Sequence, residues 1–292
     1  PFYYENSRSI EHNKIALGLF LDLSKAYDCV NYEIFLNKMH KLGIRGKALM
    51  WFESYLSQRV IVVKGGKEFR SDIKNTKLGI PQGSIIGPVI FILYVVDMTE
   101  ALNVNNSFMS NYADDTNLLV VAKNLVEITL NADTLLTSVS NWLLKERLVL
   151  NWAKTNSILF KTNRSLVETP TEIALGETVV SVSKEVKFLG VVIDEFLSWK
   201  GHISELCSRL SSVTYSLRVI SNYVNFNTLK VIYYANFESL VRYGLIFFGA
   251  STEISRVFII QKRAMRAMLT LGARESCRGK FRDNKILTVT AM

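Results

Sequence analysis

The sequence predicts an α+β fold that is followed by an all-α region. An apolar run from Ile15 to Leu21 is typical of a strand buried on both faces. Two further short apolar runs flank an acidic turn, and the chain after His202 carries apolar residues mostly at helical spacing. With 292 residues, of which 49% are hydrophobic and 21% charged, the chain can bury a sizeable core. We therefore expect an antiparallel sheet backed by helices, and then a helical region from about Trp199.

The elements of the first third follow from apolar spacing and from glycine. Helical periodicity predicts helices over 32–42 and 46–57, which Gly43 and Gly46 separate. Alternation around the Gly65-Gly66 pair predicts a hairpin over 60–75. A further helix is expected over 84–102, with Gly87-Pro88 in its first turn, where proline is tolerated.

The next elements surround the acidic turn. The runs 108–112 and 116–122, with Ala113-Asp114-Asp115 between them, predict a hairpin with a tight turn. A helix is expected over 125–148, and strands over 157–161 and 186–193. The polar stretch 161–171 predicts a loop, and the chain from His202 to Leu271 is expected to be mostly helical.

Composition excludes several classes of function. The three cysteines and three histidines are scattered, which argues against a disulfide framework, a zinc site and Ser-His-Asp hydrolysis, and favours a reducing compartment. The apolar run 89–96 is too short to span a bilayer, so no membrane partner is expected. The first residues carry neither methionine nor a signal peptide, so we expect the chain to be cut from a longer protein.

Three carboxylates are the candidates for chemistry. Asp22 ends the strand 15–21, and Asp114 and Asp115 occupy the acidic turn. If the strands pair side by side, these groups meet at one sheet edge and repel one another unless a cation neutralises them. Oxygen ligands of this kind favour Mg²⁺, and two such ions can serve an in-line phosphoryl transfer. The alternative is that Asp22 caps a helix and that the other two are ordinary turn residues.

Five segments, in order, resemble the palm motifs of reverse transcriptases. They are FLDLSKAYDCV at 20–30, GIPQGSIIGP at 79–88, YADDT at 112–116, LNWAKT at 150–155 and FLGVVID at 188–194. The forms YADDT and PQGSxxGP are similar to those of non-LTR (LINE-type) retrotransposons of the jockey-like group. The segments 261–264 and 274–278 are also similar to that group, so the resemblance runs from about Leu17 to the end.

The resemblance implies an RNA-directed DNA polymerase of right-hand architecture, with the palm in residues 1–198 and a helical thumb-like region in 199–292. Its partners would be an RNA template, a DNA primer and deoxynucleoside triphosphates. Its cofactors would be two Mg²⁺ ions, with Mn²⁺ as a substitute, and the location would be intracellular, in the cytoplasm and nucleus. A catalytically inactive nucleic-acid-binding remnant and a splicing maturase are the alternatives.

The resemblance also assigns roles to individual residues, each of which has a purely structural alternative such as a core tyrosine, a plain turn or a solvated lysine. Asp22, Asp114 and the Leu23 carbonyl would hold the metals, with Asp115 as a supporting acid. Lys154 would protonate the leaving pyrophosphate. The nucleotide would be bound by Tyr27, which excludes a ribose 2′-hydroxyl, and by Gln82 and Gly83; the primer end would be gripped by Phe188, Leu189 and Gly190.

Basic charge agrees with nucleic-acid partners, because phosphate backbones reward basic stripes through counterion release. The net charge is +9. Segment 262–285 holds eight basic residues against two acidic ones, a net charge of +6, and a solvated helix face would explain it equally well. A second cluster surrounds the predicted hairpin and comprises Arg59, Lys64, Lys67, Arg70, Lys74 and Lys77.

The sequence departs from the family pattern at several positions. Only 21 residues precede Asp22, where the family has a fingers subdomain, so little polymerase activity is expected from residues 1–292 alone. Asn111 replaces a usual apolar residue, Tyr32 a common histidine and Val96 a common asparagine.

Overall fold

The computed structural model describes residues 14–57, 59–65, 69–176 and 178–292. Within these ranges the chain forms two compact units, which divide between Ser183 and Lys184. The tip of the predicted hairpin at Gly66 and Lys67, and the chain start, lie outside the described residues.

The first unit combines strands and helices as the sequence predicts. Its central sheet has four strands in the order β6-β7-β1-β8, and all neighbours are antiparallel. The elements of this unit are β1 (Ile15–Leu21), α1 (Ala26–Cys29), α2 (Tyr32–Lys41), α3 (Gly46–Leu56), β2 (Val60–Ile61), β3 (Lys64–Gly65), β4 (Phe69–Arg70), β5 (Lys74–Asn75), α4 (Gly87–Tyr94), β6 (Ser107–Tyr112), β7 (Asp115–Ala122), α5 (Leu125–Lys145), β8 (Asn156–Phe160), β9 (Glu172–Leu175) and β10 (Thr178–Ser181).

Strand β1 is one of the two inner strands of this sheet, and all seven of its residues are buried. Leu17 pairs with Val120 of β7 on one side and with Leu159 of β8 on the other. A strand between two neighbours and under helices loses both faces to the core, which is why its sequence reads as a continuous apolar run. The predicted α+β class with an antiparallel sheet is confirmed.

Asparagine residues begin the helices that pack on the sheet. The Asn31 side chain accepts a hydrogen bond of 3.1 Å from the backbone N–H of Ile34 and caps α2. Asn124 caps α5 in the same way, accepting from the N–H of Glu127 at 2.9 Å. A cap of this kind satisfies an N–H that the first helical turn leaves without a partner.

The helix predicted over 84–102 is wrong in its length. Helix α4 ends at Tyr94, and a separate 3₁₀ turn follows over Met98–Ala101. At the point where α4 ends, the buried Lys38 ammonium donates to the Tyr94 carbonyl at 2.7 Å and to Asp97 at 2.6 Å.

Other boundaries differ by a few residues. The hairpin over 60–75 is confirmed, as two short antiparallel ladders that join β2 to β5 and β3 to β4. Asp115 belongs to β7 and pairs with Tyr112, so the acidic turn contains only Ala113 and Asp114. The hairpin of β9 and β10 was not predicted, because strands of four residues give too little alternation to be read.

The second unit is mostly helical, as predicted, and begins with a hairpin. Backbone N–H groups of Phe196, Ser198 and Trp199 donate to the Asp194 carboxylate at 2.8–3.1 Å, which ties this hairpin to the first long helix. The unit boundary therefore precedes the hairpin, whereas the predicted division at 198/199 follows it. The elements are β11 (Glu185–Phe188), β12 (Val191–Asp194), α6 (Lys200–Ile220), α7 (Phe226–Tyr233), a π-helical turn (Tyr234–Glu238), α8 (Ser239–Arg242), α9 (Leu245–Phe248), α10 (Ile254–Met268), α11 (Lys280–Asp283) and a 3₁₀ turn (Val289–Ala291).

The last two features of the fold concern the cysteines and the helices that could span a membrane. Cys29, Cys207 and Cys277 are all free thiols. Among the helices of the described residues, none has both the length and the apolar character needed to cross a membrane.

Candidate active site

Three carboxylates meet at one edge of the central sheet. Asp22 directly follows β1, and Asp115 is the first residue of β7. Because Leu21, the last residue of β1, pairs with Thr116, the following residue, Asp22, lies level with Asp115. Asp114 occupies the adjoining two-residue turn, in which Ala113 has a φ of 54°. The strands that carry the three carboxylates therefore pair side by side, as expected.

The electrostatics of this edge reflect the crowding of like charges. The pKa of Asp115 is raised, first by partial burial and then by the negative charges of Asp114 and Asp22. Each effect disfavours the ionised form. A bound cation would relieve the repulsion among the three groups.

A turn that follows α5 also holds Asp22 in place. The Asn151 side-chain amide donates to the Asp22 carboxylate at 3.1 Å, and the Asn151 N–H donates to the Asp22 carbonyl at 2.8 Å. The exposed Lys154 ammonium lies 3.8 Å from the same carboxylate oxygen. Asn151 belongs to the segment 150–155 that resembles a palm motif, but no role was predicted for it. Its place in that segment, shortly before Lys154, is the sequence signal that could have indicated a role at the site.

The helix-cap interpretation of Asp22 is wrong. Helix α1 begins after Lys25, which has a φ of 48°, and no side chain caps it. The backbone around Leu23 is instead fixed by bonds from Ser24 N–H to the Val149 carbonyl and from Asn151 N–H to the Asp22 carbonyl. Leu23 forms an isolated antiparallel bridge with Leu150, and neither of these two bonds uses the Leu23 carbonyl.

Tyr27 lies within electrostatic reach of the carboxylates. Its pKa is raised by burial and then by the charge of Asp114. The ring stacks on Phe91 of α4, with the ring centroids 4.9 Å apart and the planes at 18°. This stack fixes the ring beside the site, so the tyrosine is neither a fully buried core residue nor a freely rotating one.

Gln82 and Gly83 are exposed. The loop that leads to them is held in place at Gly79. The Gly79 carbonyl accepts bonds from the Arg59 guanidinium at 2.7 Å and from the Tyr32 hydroxyl at 2.8 Å. Gly79 has a φ of +84°, and a Cβ there would lie 3.0 Å from the Asp28 carbonyl oxygen, so glycine is required. Arg59 and Tyr32, neither of which was assigned this role, thus position the loop that precedes Gln82.

The predicted primer grip lies in the second unit. Phe188, Leu189 and Gly190 form the turn of the β11–β12 hairpin, in which Leu189 and Gly190 have φ values of 46° and 78°. The Tyr243 hydroxyl donates to the Leu189 carbonyl. The expectation of one strand over 186–193 is wrong, because the left-handed turn at Leu189 and Gly190 divides it into two paired strands. The primer-gripping role stays a prediction.

Comparison with known families gives the decisive observation. Residues 2–193 match the model of the family described as "Reverse transcriptase (RNA-dependent DNA polymerase)". The chain belongs to this family. The matched range contains the three carboxylates, Tyr27, Gln82, Gly83, Lys154 and the β11–β12 hairpin turn.

Individual relatives come from mobile elements of Drosophila. The chain is 24% identical over 280 residues to the "RNA-directed DNA polymerase from mobile element jockey" of Drosophila funebris, covering 88% of this chain and 29% of that protein. It is 26% identical over 284 residues to the "Probable RNA-directed DNA polymerase from transposon X-element" of Drosophila melanogaster, covering 93% and 30%. These matches confirm the resemblance to jockey-like non-LTR elements. The chain spans less than a third of the length of these relatives.

Solved structures of telomerase also align with the chain. Telomerase from Candida tropicalis in complex with a TWJ fragment of telomeric RNA aligns with a TM-score of 0.48 at 14% identity, covering 97% of this chain and 42% of that one. Apo telomerase from the same organism aligns with a TM-score of 0.47 at 15% identity, covering 92% and 44%.

Reverse transcriptases generally depend on divalent metal ions, and the donor chemistry of this edge fits such an ion. In the part of the chain that the structure describes, no group of three or more His, Cys, Asp or Glu side chains could hold a metal ion. Mg²⁺ does not need one, since it is usually held by one or two carboxylates together with substrate phosphates and water. The pKa of Asp115 is raised first by burial and then by the charges of Asp114 and Asp22, and a cation at this edge would offset the second contribution.

Proposed function

We propose that this chain carries the polymerising centre of an RNA-directed DNA polymerase of a non-LTR retrotransposon. The observation that carries the proposal is the convergence of Asp22, Asp114 and Asp115 at one sheet edge in a member of the reverse transcriptase family. The partners would be an RNA template, a DNA primer and deoxynucleoside triphosphates. RNA-templated DNA synthesis would take place inside the cell, in the cytoplasm and nucleus.

In the proposed reaction, the primer 3′-hydroxyl gives its proton to solvent water and attacks the α-phosphate of the nucleotide. A bond forms between the 3′-oxygen and phosphorus, and the bond from that phosphorus to the bridging oxygen of pyrophosphate breaks. Asp22, Asp114 and the Leu23 carbonyl would hold two Mg²⁺ ions, or Mn²⁺ in their place, with Asp115 in support. When bound, the ions would neutralise charge that develops on the attacking and leaving oxygens.

The chain's own side chains would do the positioning. Asn151 orients the Asp22 carboxylate through a 3.1 Å hydrogen bond. Lys154, with its ammonium 3.8 Å from Asp22, is the candidate proton donor to the departing pyrophosphate. The Tyr27 ring, held against Phe91, would occupy the space of a ribose 2′-hydroxyl and so favour deoxynucleotides.

The test combines synthesis with metal binding. Incorporation of dTTP on poly(rA)/oligo(dT) is measured for the chain joined to an upstream fingers segment, with and without Asp22→Asn or Asp114→Asn, because little synthesis is expected from residues 1–292 alone. Mn²⁺ binding is measured on the same proteins by electron paramagnetic resonance. Asp28→Asn is the control, because Asp28 is an exposed carboxylate only six residues beyond Asp22. We expect both site variants to lose at least about a hundredfold in incorporation and to bind Mn²⁺ more weakly, since each removes a metal ligand.

Two results would count against the proposal. Unchanged incorporation by Asp22→Asn would remove the metal assignment. Nucleic-acid binding with no incorporation by the chain that carries a fingers segment, and no Mn²⁺ binding sensitive to Asp22, would favour the inactive remnant instead.

A further inference from the structure

The segment 78–80, called the strap below, runs alongside the short helix α1. The Gly79 N–H donates to the Val30 carbonyl at 2.8 Å, and the Ile80 N–H donates to the Tyr27 carbonyl at 2.8 Å. Gly79 and Ile80 are both buried. The strap is therefore hydrogen-bonded directly to the backbone of the residue whose ring lies beside the carboxylates.

The carbonyl groups of the strap are held by two side chains that are distant in sequence. The Arg59 guanidinium donates to the Gly79 carbonyl at 2.7 Å and to the Tyr32 hydroxyl at 3.2 Å. That hydroxyl lies 2.8 Å from the Gly79 carbonyl oxygen and 3.0 Å from the Leu78 carbonyl oxygen. A hydrogen bond from a charged donor is stronger than one between neutral groups, and a buried carbonyl is costly to leave without a donor. Gly79 is thus fixed through both its N–H and its carbonyl.

The strap links the base of a hairpin to the segment that carries Gln82. Only Pro81 separates the strap from Gln82, and the Ser84 N–H donates to the Pro81 carbonyl at 3.2 Å in a tight turn. The backbone of Arg59 is fixed as well, because its carbonyl accepts from the Thr76 N–H at 3.0 Å where the β2–β5 ladder begins. A displacement of the strap would therefore be passed on to Gln82 with little loss.

We propose that Arg59 is a positioning residue that sets the preference of the nucleotide site for deoxynucleotides. The inference rests on the proposed function, in which Tyr27 excludes the ribose 2′-hydroxyl and Gln82 contacts the nucleotide. The Tyr27 ring is held by its stack on Phe91, and its backbone is held by the strap. When Arg59 is removed, the Gly79 carbonyl loses its charged donor, and the strap no longer fixes Tyr27 relative to Gln82.

The first test measures amide hydrogen exchange by NMR in residues 1–292 without nucleotide. The variant is Arg59→Met, and the control is Arg70→Met, which removes the same charge from an exposed position in the same hairpin region. We expect the Gly79 and Ile80 amides to exchange at least about tenfold faster in Arg59→Met and to change less than about twofold in the control. Unchanged exchange at both amides would overturn the proposal, whether or not the chain synthesises DNA.

The second test measures incorporation of dTTP and of UTP on poly(rA)/oligo(dT) by the chain joined to an upstream fingers segment. We expect Arg59→Met to raise KM for dTTP about fivefold and to change kcat less than about twofold, since the proposed metal ligands are untouched. The ratio of UTP to dTTP kcat/KM should rise at least about threefold, and in Arg70→Met it should not change. Equal losses of kcat for both nucleotides, with an unchanged ratio, would show a merely structural role and overturn the proposal.

Combining Arg59→Met with Tyr27→Val separates a positioning role from an independent one. If Arg59 acts through Tyr27, the double variant should discriminate no worse than Tyr27→Val alone, because the ring that the strap positions is already absent. A change in the ratio equal to the product of the two separate changes would overturn the proposal. If the unmodified protein with its fingers segment makes no DNA, the proposed function fails, whereas amide exchange still decides whether Arg59 holds the strap.

Discussion

Replacing Lys38 by methionine should destabilise the first unit strongly, because this lysine is a buried cation with several partners. Its side chain is 8% exposed, and its ammonium lies 2.6 Å from Asp97 and 3.0 Å from the nearly buried Glu146 carboxylate. It donates to the Tyr94 carbonyl at 2.7 Å. It also lies 5.2 Å and 4.8 Å from the ring centroids of Tyr94 and Trp142.

The magnitude follows from what the substitution leaves behind. Methionine can fill most of the space of the lysine stem, but Glu146 then stays buried without its cation and the Tyr94 carbonyl loses a donor. Breaking a buried ion pair by removing one partner costs about 3–5 kcal/mol. For a unit of this size, 1 kcal/mol shifts Tm by about 2–4 °C, so we expect a decrease of about 6–20 °C.

Thermal unfolding monitored by circular dichroism measures this effect. Lys41→Met is the matched control, because Lys41 lies on the same helix α2 and is exposed; its Tm should change by less than about 2 °C. Adding Glu146→Gln to Lys38→Met should restore part of the loss, since the buried charge disappears. A Tm decrease for Lys38→Met no larger than that for Lys41→Met would refute the argument.

Three further predictions concern the candidate site residues. Because the pKa of Asp115 is raised above its ordinary value of 3.8, the stability that this group contributes is present below pH 3.8 and is lost as the pH rises through the raised pKa. Asp115→Asn should therefore raise Tm at pH 7 in the absence of divalent ions, and an unchanged or lower Tm would contradict this. Tyr27→Val should increase the ratio of UTP to dTTP incorporation, because it removes the ring stacked on Phe91; an unchanged ratio would exclude the sugar-discriminating role. Gly190→Ala should destabilise the second unit by about 1–2 kcal/mol, because Gly190 has a φ of +78°, and urea unfolding compared with Gly272→Ala, a glycine without positive φ, measures it.

The sheet and its acidic edge were predictable from the sequence because they depend on local patterns. The continuous apolar run before Asp22 identifies a strand covered on both faces, and the two runs beside Asp114 identify a hairpin. Antiparallel pairing of these strands then fixes which residues share an edge, since the register follows from the buried positions. The helices α2, α3 and α5 were predictable for the same reason, as each carries an apolar face of helical period.

The supporting contacts could not be predicted, because they join residues that are distant in sequence. Asn151 reaches Asp22 across 129 positions, and Lys38 reaches Tyr94 across 56. Lys38 lies in a helical pattern in which a lysine is expected to be solvated, and only the folded structure shows that its ammonium is buried against the last carbonyl of α4. Tyr32 was noted only as a departure from the family pattern, yet its hydroxyl holds the Gly79 carbonyl.

The edge that holds Asp22, Asp114 and Asp115 is stabilised less by its own contacts than by the fold around it. The pKa of Asp115 is raised by burial and then by the charges of Asp114 and Asp22. Asn151 and Lys154, on the turn after α5, contact the Asp22 carboxylate and partly compensate its charge. A carboxylate that destabilises the folded chain when it is ionised is stabilised by a nearby cation, so a divalent ion bound as proposed would raise the stability of the folded chain. A divalent ion should thus raise Tm at pH 7 more in the unmodified chain than in Asp115→Asn, and less at pH 4, where protons compete for the same oxygens.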